Sequence, residues 1–318
     1  MKRFEIISLF ILLLTPILAL ALPNNSCSDI ASSVDTNGAV VWHKITCPNL
    51  YSQKLEINVL DIDATHPKIK FIPMSASDNQ LATIPAIAGQ NPLVLAGVNG
   101  GYFYNADNNP QYHDPICSTK TYPQTDGLGD SLLQIAGKLI SSNCDHHADG
   151  RDHFSRSVFA IDEKMNFYIQ PVSPNLALRN LNDPAQKNVA YAIGAGPNLI
   201  STGFDGKGFI NITDEGFYHV DIRAARTAVG ITQNKHIVLF TVDGKSGVSG
   251  MTLRELAEFM LNDLQVNAAM NLDGGGSTTM CIKPHRGKAN DCEMVNQPSD
   301  ASGPRKVYDG LFVVIEDK

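Results

Sequence analysis

Ala268-Ala269-Met270-Asn271-Leu272-Asp273-Gly274-Gly275-Gly276-Ser277 is the stretch from which the rest of the chain is best read. A short, mostly apolar run ending in a glycine cluster has the pattern of a buried strand bounded by a breaker. The strand delivers a carboxylate and then three glycines to its carboxyl end. Two other segments repeat this plan. Residues 93–98 form an apolar run that leads into Asn99-Gly100-Gly101-Tyr102-Phe103, and 236–242 lead into Asp243-Gly244-Lys245.

Working outward, 225–231 and 236–242 are β-rich runs joined by Thr232-Gln233-Asn234-Lys235, which predicts a hairpin. Thr252 followed by Glu255 makes a capping box, and Leu253, Leu256, Ala257, Met260 and Leu264 then repeat at helical spacing. Residues 85–90 suit a short helical turn. Alternation at Leu55, Ile57 and Val59, and again at Ile69 and Phe71, predicts strands. Hairpins are expected at 131–140 and 158–169, and a last strand at 307–315. Residues 22–52 are polar and read as a leading segment. Many strands with few helices point to an α+β fold of mixed, strand-rich sheets with disulfide-braced loops. The expected division is a signal peptide at 1–21, a leading segment with strands at 22–90, and one main domain at 91–318.

Lys2 and Arg3 precede an apolar stretch that ends in Ala19-Leu20-Ala21, the pattern of a cleavable signal peptide. The apolar core is shorter than the roughly 20 residues of a comfortable membrane span. Export is therefore expected, to a secreted, periplasmic or lumenal location, with no stable membrane insertion after cleavage. The six cysteines, Cys27, Cys47, Cys117, Cys144, Cys281 and Cys292, all follow the expected cut. An even count in an exported chain suggests disulfides, although spacing leaves the connectivity open. Sequence neighbours are the preferred partners, because each pair closes a short polar or Pro/Gly-rich loop. A net charge of −7 argues against nucleic-acid binding, which usually needs a basic face.

The candidate chemistry sits at the strand ends. Asp273 and Asp243 are the carboxylates, and consecutive amides over Gly274, Gly275, Gly276 and Ser277 suit an oxyanion. Asn99, Gly100 and Gly101 are candidate substrate contacts, as are Arg226 and Arg305, since arginine makes paired hydrogen bonds to phosphate or carboxylate. Asn-Gly-Gly and Asp-Gly are also ordinary turn sequences, and Arg223 reads equally well as a surface residue. His113, Asp114, His146, His147, Asp149, Asp152 and His153 lack fixed ligand spacing and read as a solvated loop, not a metal site. No cofactor is expected: the dinucleotide and Walker phosphate fingerprints are absent, as is a G-x-S-x-G elbow.

In order along the chain, Gly97-Val98-Asn99-Gly100-Gly101-Tyr102-Phe103, Ala225-Arg226-Thr227-Ala228-Val229-Gly230, Asp243-Gly244 and Asn271-Leu272-Asp273-Gly274-Gly275-Gly276-Ser277 resemble the phosphodiester glycosidase family. Ala195-Gly196-Pro197 and Val295-Asn296-Gln297-Pro298-Ser299-Asp300 add to the resemblance, which spans about 93–314. Lys245 departs from it, standing where the family usually has arginine. The resemblance implies a hydrolase that cleaves a sugar-1-phosphate diester at the anomeric carbon. Asp273 would then be the first choice for the carboxylate that stabilises an oxocarbenium-like centre, with Asp243 second. Arg226 and the 274–277 amides would hold the phosphate, and Asn99 the sugar hydroxyls. Two rival readings use the same residues: a non-catalytic binder of phosphorylated surface glycans or wall polymers, and a metal-dependent phosphatase with Asp243 and Asp273 as ligands.

Overall fold

The computed structural model describes residues 27–35, 37–77, 80–103, 131–141, 156–172, 189–213, 215, 220–283 and 292–316. The signal-peptide reading, the Cys117–Cys144 pairing and the His/Asp loop fall outside these residues.

Three antiparallel sheets enclose the main core. The largest contains β1 (Ser28–Ser33), β2 (Val40–Leu50), β3 (Gln53–Asp63), β11 (Asn198–Thr202), β12 (Gly208–Ile210), β13 (Arg226–Thr232), β14 (His236–Val242) and β15 (Val266–Asn271), in the order β1-β2-β3-β14-β13-β15-β11-β12. A second sheet has the order β7-β6-β10-β8-β9, from β6 (Leu133–Ile135), β7 (Lys138–Ser141), β8 (Arg156–Asp162), β9 (Phe167–Val172) and β10 (Val189–Ala195). The third runs β17-β16-β5-β18-β4, from β4 (Ile69–Ser75), β5 (Val94–Asn99), β16 (Met280–Ile282), β17 (Glu293–Met294) and β18 (Asp309–Ile315). Two α-helices lie among the described residues, α1 (Ile84–Ala88) and α2 (Leu253–Asn262). The fold is α+β and strand-rich, as expected.

The pleat of the large sheet sorts its side chains. Leu60, Val229, Leu239, Met270 and Leu272 face the other two sheets, while Ile57, Ala228, Phe240 and Ala269 face α2. That two-sided burial explains why 236–242 and 268–272 read as mostly apolar runs. The capping box of α2 is formed: Thr252 Oγ1 accepts from Glu255 N at 3.1 Å, and Glu255 Oε2 accepts from Thr252 N at 2.9 Å.

The polar leading segment contributes strands to the large sheet. Residues 28–50 form β1 and β2, and β3 pairs with β14, so this segment extends the same sheet that carries the candidate carboxylates. The apolar face of β2 is broken by His43, which is buried and bonded to Asp29 Oδ2 at 2.8 Å, and by Cys47. Those two residues hide the alternation. Disulfides join Cys27 to Cys47 and Cys281 to Cys292, the neighbour pairings expected from the sequence.

Candidate active site

The ends of β5, β14 and β15 meet beside the start of β13. Arg226 pairs with Val242 and Ala228 with Asn271, so β14 and β15 flank β13, and Asp243 and Asp273 follow the ends of these two flanking strands. Strands β14 and β15 are two strand spacings apart, about 10 Å. The strand between them carries Arg226.

Asn99 fixes the Asp273 loop. Its Nδ2 donates to Asp273 O at 2.6 Å, while Oδ1 accepts from Thr227 Oγ1 at 2.7 Å and from Thr279 N at 3.0 Å. With 1 % exposure, Asn99 is a bolt beneath the loop and not an open sugar contact. Gly100 O accepts from Asp273 N at 2.9 Å. Asp309 holds the glycine pair itself: its backbone oxygen accepts from Gly100 N at 3.1 Å and its Oδ1 from Gly101 N at 2.7 Å. Gly100 and Gly101 are thus buried against Asp309, and their amides are not turned to a ligand. Asp309 had no sequence signal beyond a lone carboxylate heading an apolar strand.

The glycine run makes a 3-10 turn at Gly275–Ser277. Gly275 has φ +59°, in the left-handed region that glycine adopts freely. A β-carbon at Gly276 would collide with the Asp300 carboxylate and the Arg305 guanidinium. Arg305 lies 2.9 Å from Asp300 in an ion pair and reaches Ser277 Oγ at 3.5 Å. Gly274 N donates to Asp273 Oδ1 at 2.9 Å, Gly275 N to Ala225 O at 2.8 Å and Ser277 N to Gly274 O at 3.2 Å. The Gly274 amide orients the carboxylate, and the other two are taken up by backbone oxygens.

Arg226 is 6 % exposed, with Nε donating to Met251 O at 2.9 Å and Nη2 to Ile222 O. Burial pushes its guanidinium below the ordinary value, and the nearby Tyr102 opposes that shift. Tyr102 lies in the Gly-Gly-Tyr-Phe motif, where the sequence gives its side chain no role. Its hydroxyl donates to Gly196 O at 2.7 Å, and Asn271 Nδ2 donates to the same oxygen at 2.9 Å. Arg223 pairs with Glu255 and donates to Tyr51 O at 3.0 Å, which ties it to the start of α2. It belongs to the scaffold.

Asp243 points to the other face of the sheet, toward the Asn296–Gln297 turn. Its Oδ1 accepts from Gln297 N at 3.1 Å, and Asn296 also bonds the carboxylate. Burial raises its pKa to about 6, the hydrogen bonds from Gln297 and Asn296 opposing the rise. A carboxyl group with a pKa of about 6 changes charge within a unit or so of neutral pH, which suits proton transfer. Asn296 carries no sequence signal of its role. It is 5 % exposed, accepts from Met280 N at 2.7 Å and donates to Thr278 O at 3.0 Å. Among the described residues, no group of three His, Cys, Asp or Glu side chains gathers as metal ligands.

The phosphodiester glycosidase family model matches residues 93–314, and the chain belongs to that family. The human N-acetylglucosamine-1-phosphodiester alpha-N-acetylglucosaminidase is 46 % identical over 63 residues, which is 20 % of this chain and 12 % of that relative's length. Among solved structures, the zebrafish enzyme of that name, its catalytic domain auto-inhibited by pro-peptide, aligns with a TM-score of 0.60 at 21 % identity. The alignment covers 92 % of this chain and 82 % of that one. A hypothetical protein from Synechocystis aligns with a TM-score of 0.57 at 16 % identity, covering 87 % and 62 %. At such identities these two structures establish the shared fold alone.

Proposed function

We propose that this phosphodiester glycosidase family member is an exported hydrolase that cleaves a sugar-1-phosphate diester at the anomeric carbon, releasing a phosphomonoester. The observation that carries the reading is the pair Asp243 and Asp273, held on either side of Arg226 at one end of the large sheet. Asp273, oriented by its own Gly274 amide, is assigned the charge that stabilises the oxocarbenium-like centre. Asp243 is assigned proton transfer, for which its raised pKa suits it. Arg226 contributes fixed positive charge behind the Asp273 loop, and the rim formed by Ser277 and Arg305 bounds the substrate. Asn99, Gly100 and Gly101 act through the loop they hold. The main domain at 91–318 is completed by the sheet strands that precede it.

The natural substrate we favour carries an N-acetylhexosamine, in line with the names of the curated relatives. No described helix is long and apolar enough to cross a membrane, and the two disulfides suit an oxidising compartment. The test is a panel of sugar-1-phosphodiesters incubated in isotopically labelled water, with products read by mass spectrometry. Label in the sugar is expected, because water attacks the anomeric carbon. Label in the phosphate would mean phosphorus–oxygen cleavage and would overturn the reading.

A further inference from the structure

The hairpin that joins β2 to β3 lies outside the family-matching segment 93–314, yet its tip grips the segments around Arg226. Leu50 pairs with Gln53, so the turn consists of Tyr51 and Ser52, with φ of +52° and +63°. Tight turns of this kind favour glycine, asparagine or aspartate. At Tyr51 and Ser52 the left-handed backbone costs free energy, which the contacts of the tip must offset.

Met251 O accepts from Arg226 Nε at 2.9 Å, and Ile222 O accepts from Arg226 Nη2. The hairpin tip holds the residue next to each of these carbonyls. Beside Met251, Gln53 Nε2 donates to Gly250 O at 2.6 Å, and Gln53 Oε1 accepts from Gly250 N at 3.2 Å. One amide side chain thus stands in for a ladder strand at Gly250. Met251 itself is bridged to Ala224, two residues before Arg226. Beside Ile222, Tyr51 O accepts from Arg223 Nη1 at 3.0 Å. The Tyr51 hydroxyl also donates to Glu255 O at 3.1 Å, in the first turn of α2.

We propose that Gln53 is a positioning residue, which sets the guanidinium of Arg226 through the Gly250–Met251 peptide while Tyr51 steadies the opposite carbonyl. Its effect on rate rests on the phosphodiester reading above. The family segment supplies the charge behind the Asp273 loop, and the N-terminal hairpin supplies the grip that keeps this charge in place.

The test compares the full wild-type chain with Gln53→Ala, Arg226→Lys and the double variant. Gln53→Glu, which keeps the acceptor for Gly250 N and loses the donor to Gly250 O, replaces the alanine variant if that does not fold. In crystals of the Gln53 variant, the Arg226 guanidinium is expected to move by about 1 Å, a scale at which misplacement costs rate. Values of kcat/KM on a sugar-1-phosphodiester should fall about tenfold or more, and the double variant should be no slower than Arg226→Lys alone. Arg226 unmoved in the variant would overturn the assignment, whatever the change in melting temperature. Losses that multiply in the double variant would overturn it too, because Gln53 would then not act through Arg226. A wild type that turns over no phosphodiester would sink the hydrolase reading, and the crystal comparison would still decide the role of Gln53.

Discussion

Asn99 donates from Nδ2 to the backbone oxygen of Asp273 at 2.6 Å, linking two strand ends that lie 174 residues apart. The same side chain accepts from Thr227 and Thr279. Asn99→Asp keeps the acceptor and turns the donor into an oxygen facing a carbonyl. The variant should fold, melt lower by the equivalent of about 2 kcal/mol, and lose activity as the Asp273 loop shifts. Thermal melting with parallel rate measurements checks this. Wild-type melting with wild-type rate would show that the loop does not need its bolt.

Asp273→Asn preserves the acceptor for the Gly274 amide and removes the charge. Melting should be unchanged, while kcat falls about a hundredfold or more, the loss typical of a transition-state charge. A variant that stays folded, binds normally and keeps within tenfold of the wild-type rate would move the assignment to Asp243.

The raised pKa of Asp243 makes a signed prediction. A carboxyl whose folded pKa, about 6, lies above its unfolded value favours folding most when protonated. Its contribution is complete below about pH 4 and is lost as pH rises through about 6. Asp243→Asn should therefore melt like the wild type at pH 4 and be more stable at pH 8, by about 2 kcal/mol. The activity of the wild type should change through the same window. Melting curves at several pH values decide it: a variant less stable than wild type at pH 8 would mean that the Gln297 and Asn296 bonds outweigh burial.

Gly276→Ala forces a β-carbon against Asp300 and Arg305. Because these are side-chain ends at the rim, the fold should survive with a cost of about 1–3 kcal/mol, and the ion pair should open. Substrate KM should rise more than kcat falls. An unchanged KM would remove the rim from substrate contact.

Much of this site was legible because its strands are apolar on both faces and end abruptly at glycine. The runs before Asn99, Asp243 and Asp273 each mark a strand that delivers a polar residue to its carboxyl end, and the Thr252–Glu255 box marks α2 directly. Harder to see was what each polar group faces. Asn99 and Gly101 look like ligand contacts in sequence, yet they are turned inward by Thr227, Thr279 and Asp309, residues that arrive from three distant segments. The strand β2 is hard to read in the sequence for a local reason, since His43 occupies an inward position where an apolar residue would show the alternation.

The Cys27–Cys47 bridge sits where β1, an edge of the large sheet, begins its pairing with β2. An edge strand offers unpaired amides and carbonyls as a template for another chain, and a detached β1 would uncover the 11-residue flank of β2. The covalent link keeps β1 from peeling at that end. With the bridge closed the sheet ends in the six residues of β1, and reduction is expected to let the longer flank of β2 become the edge.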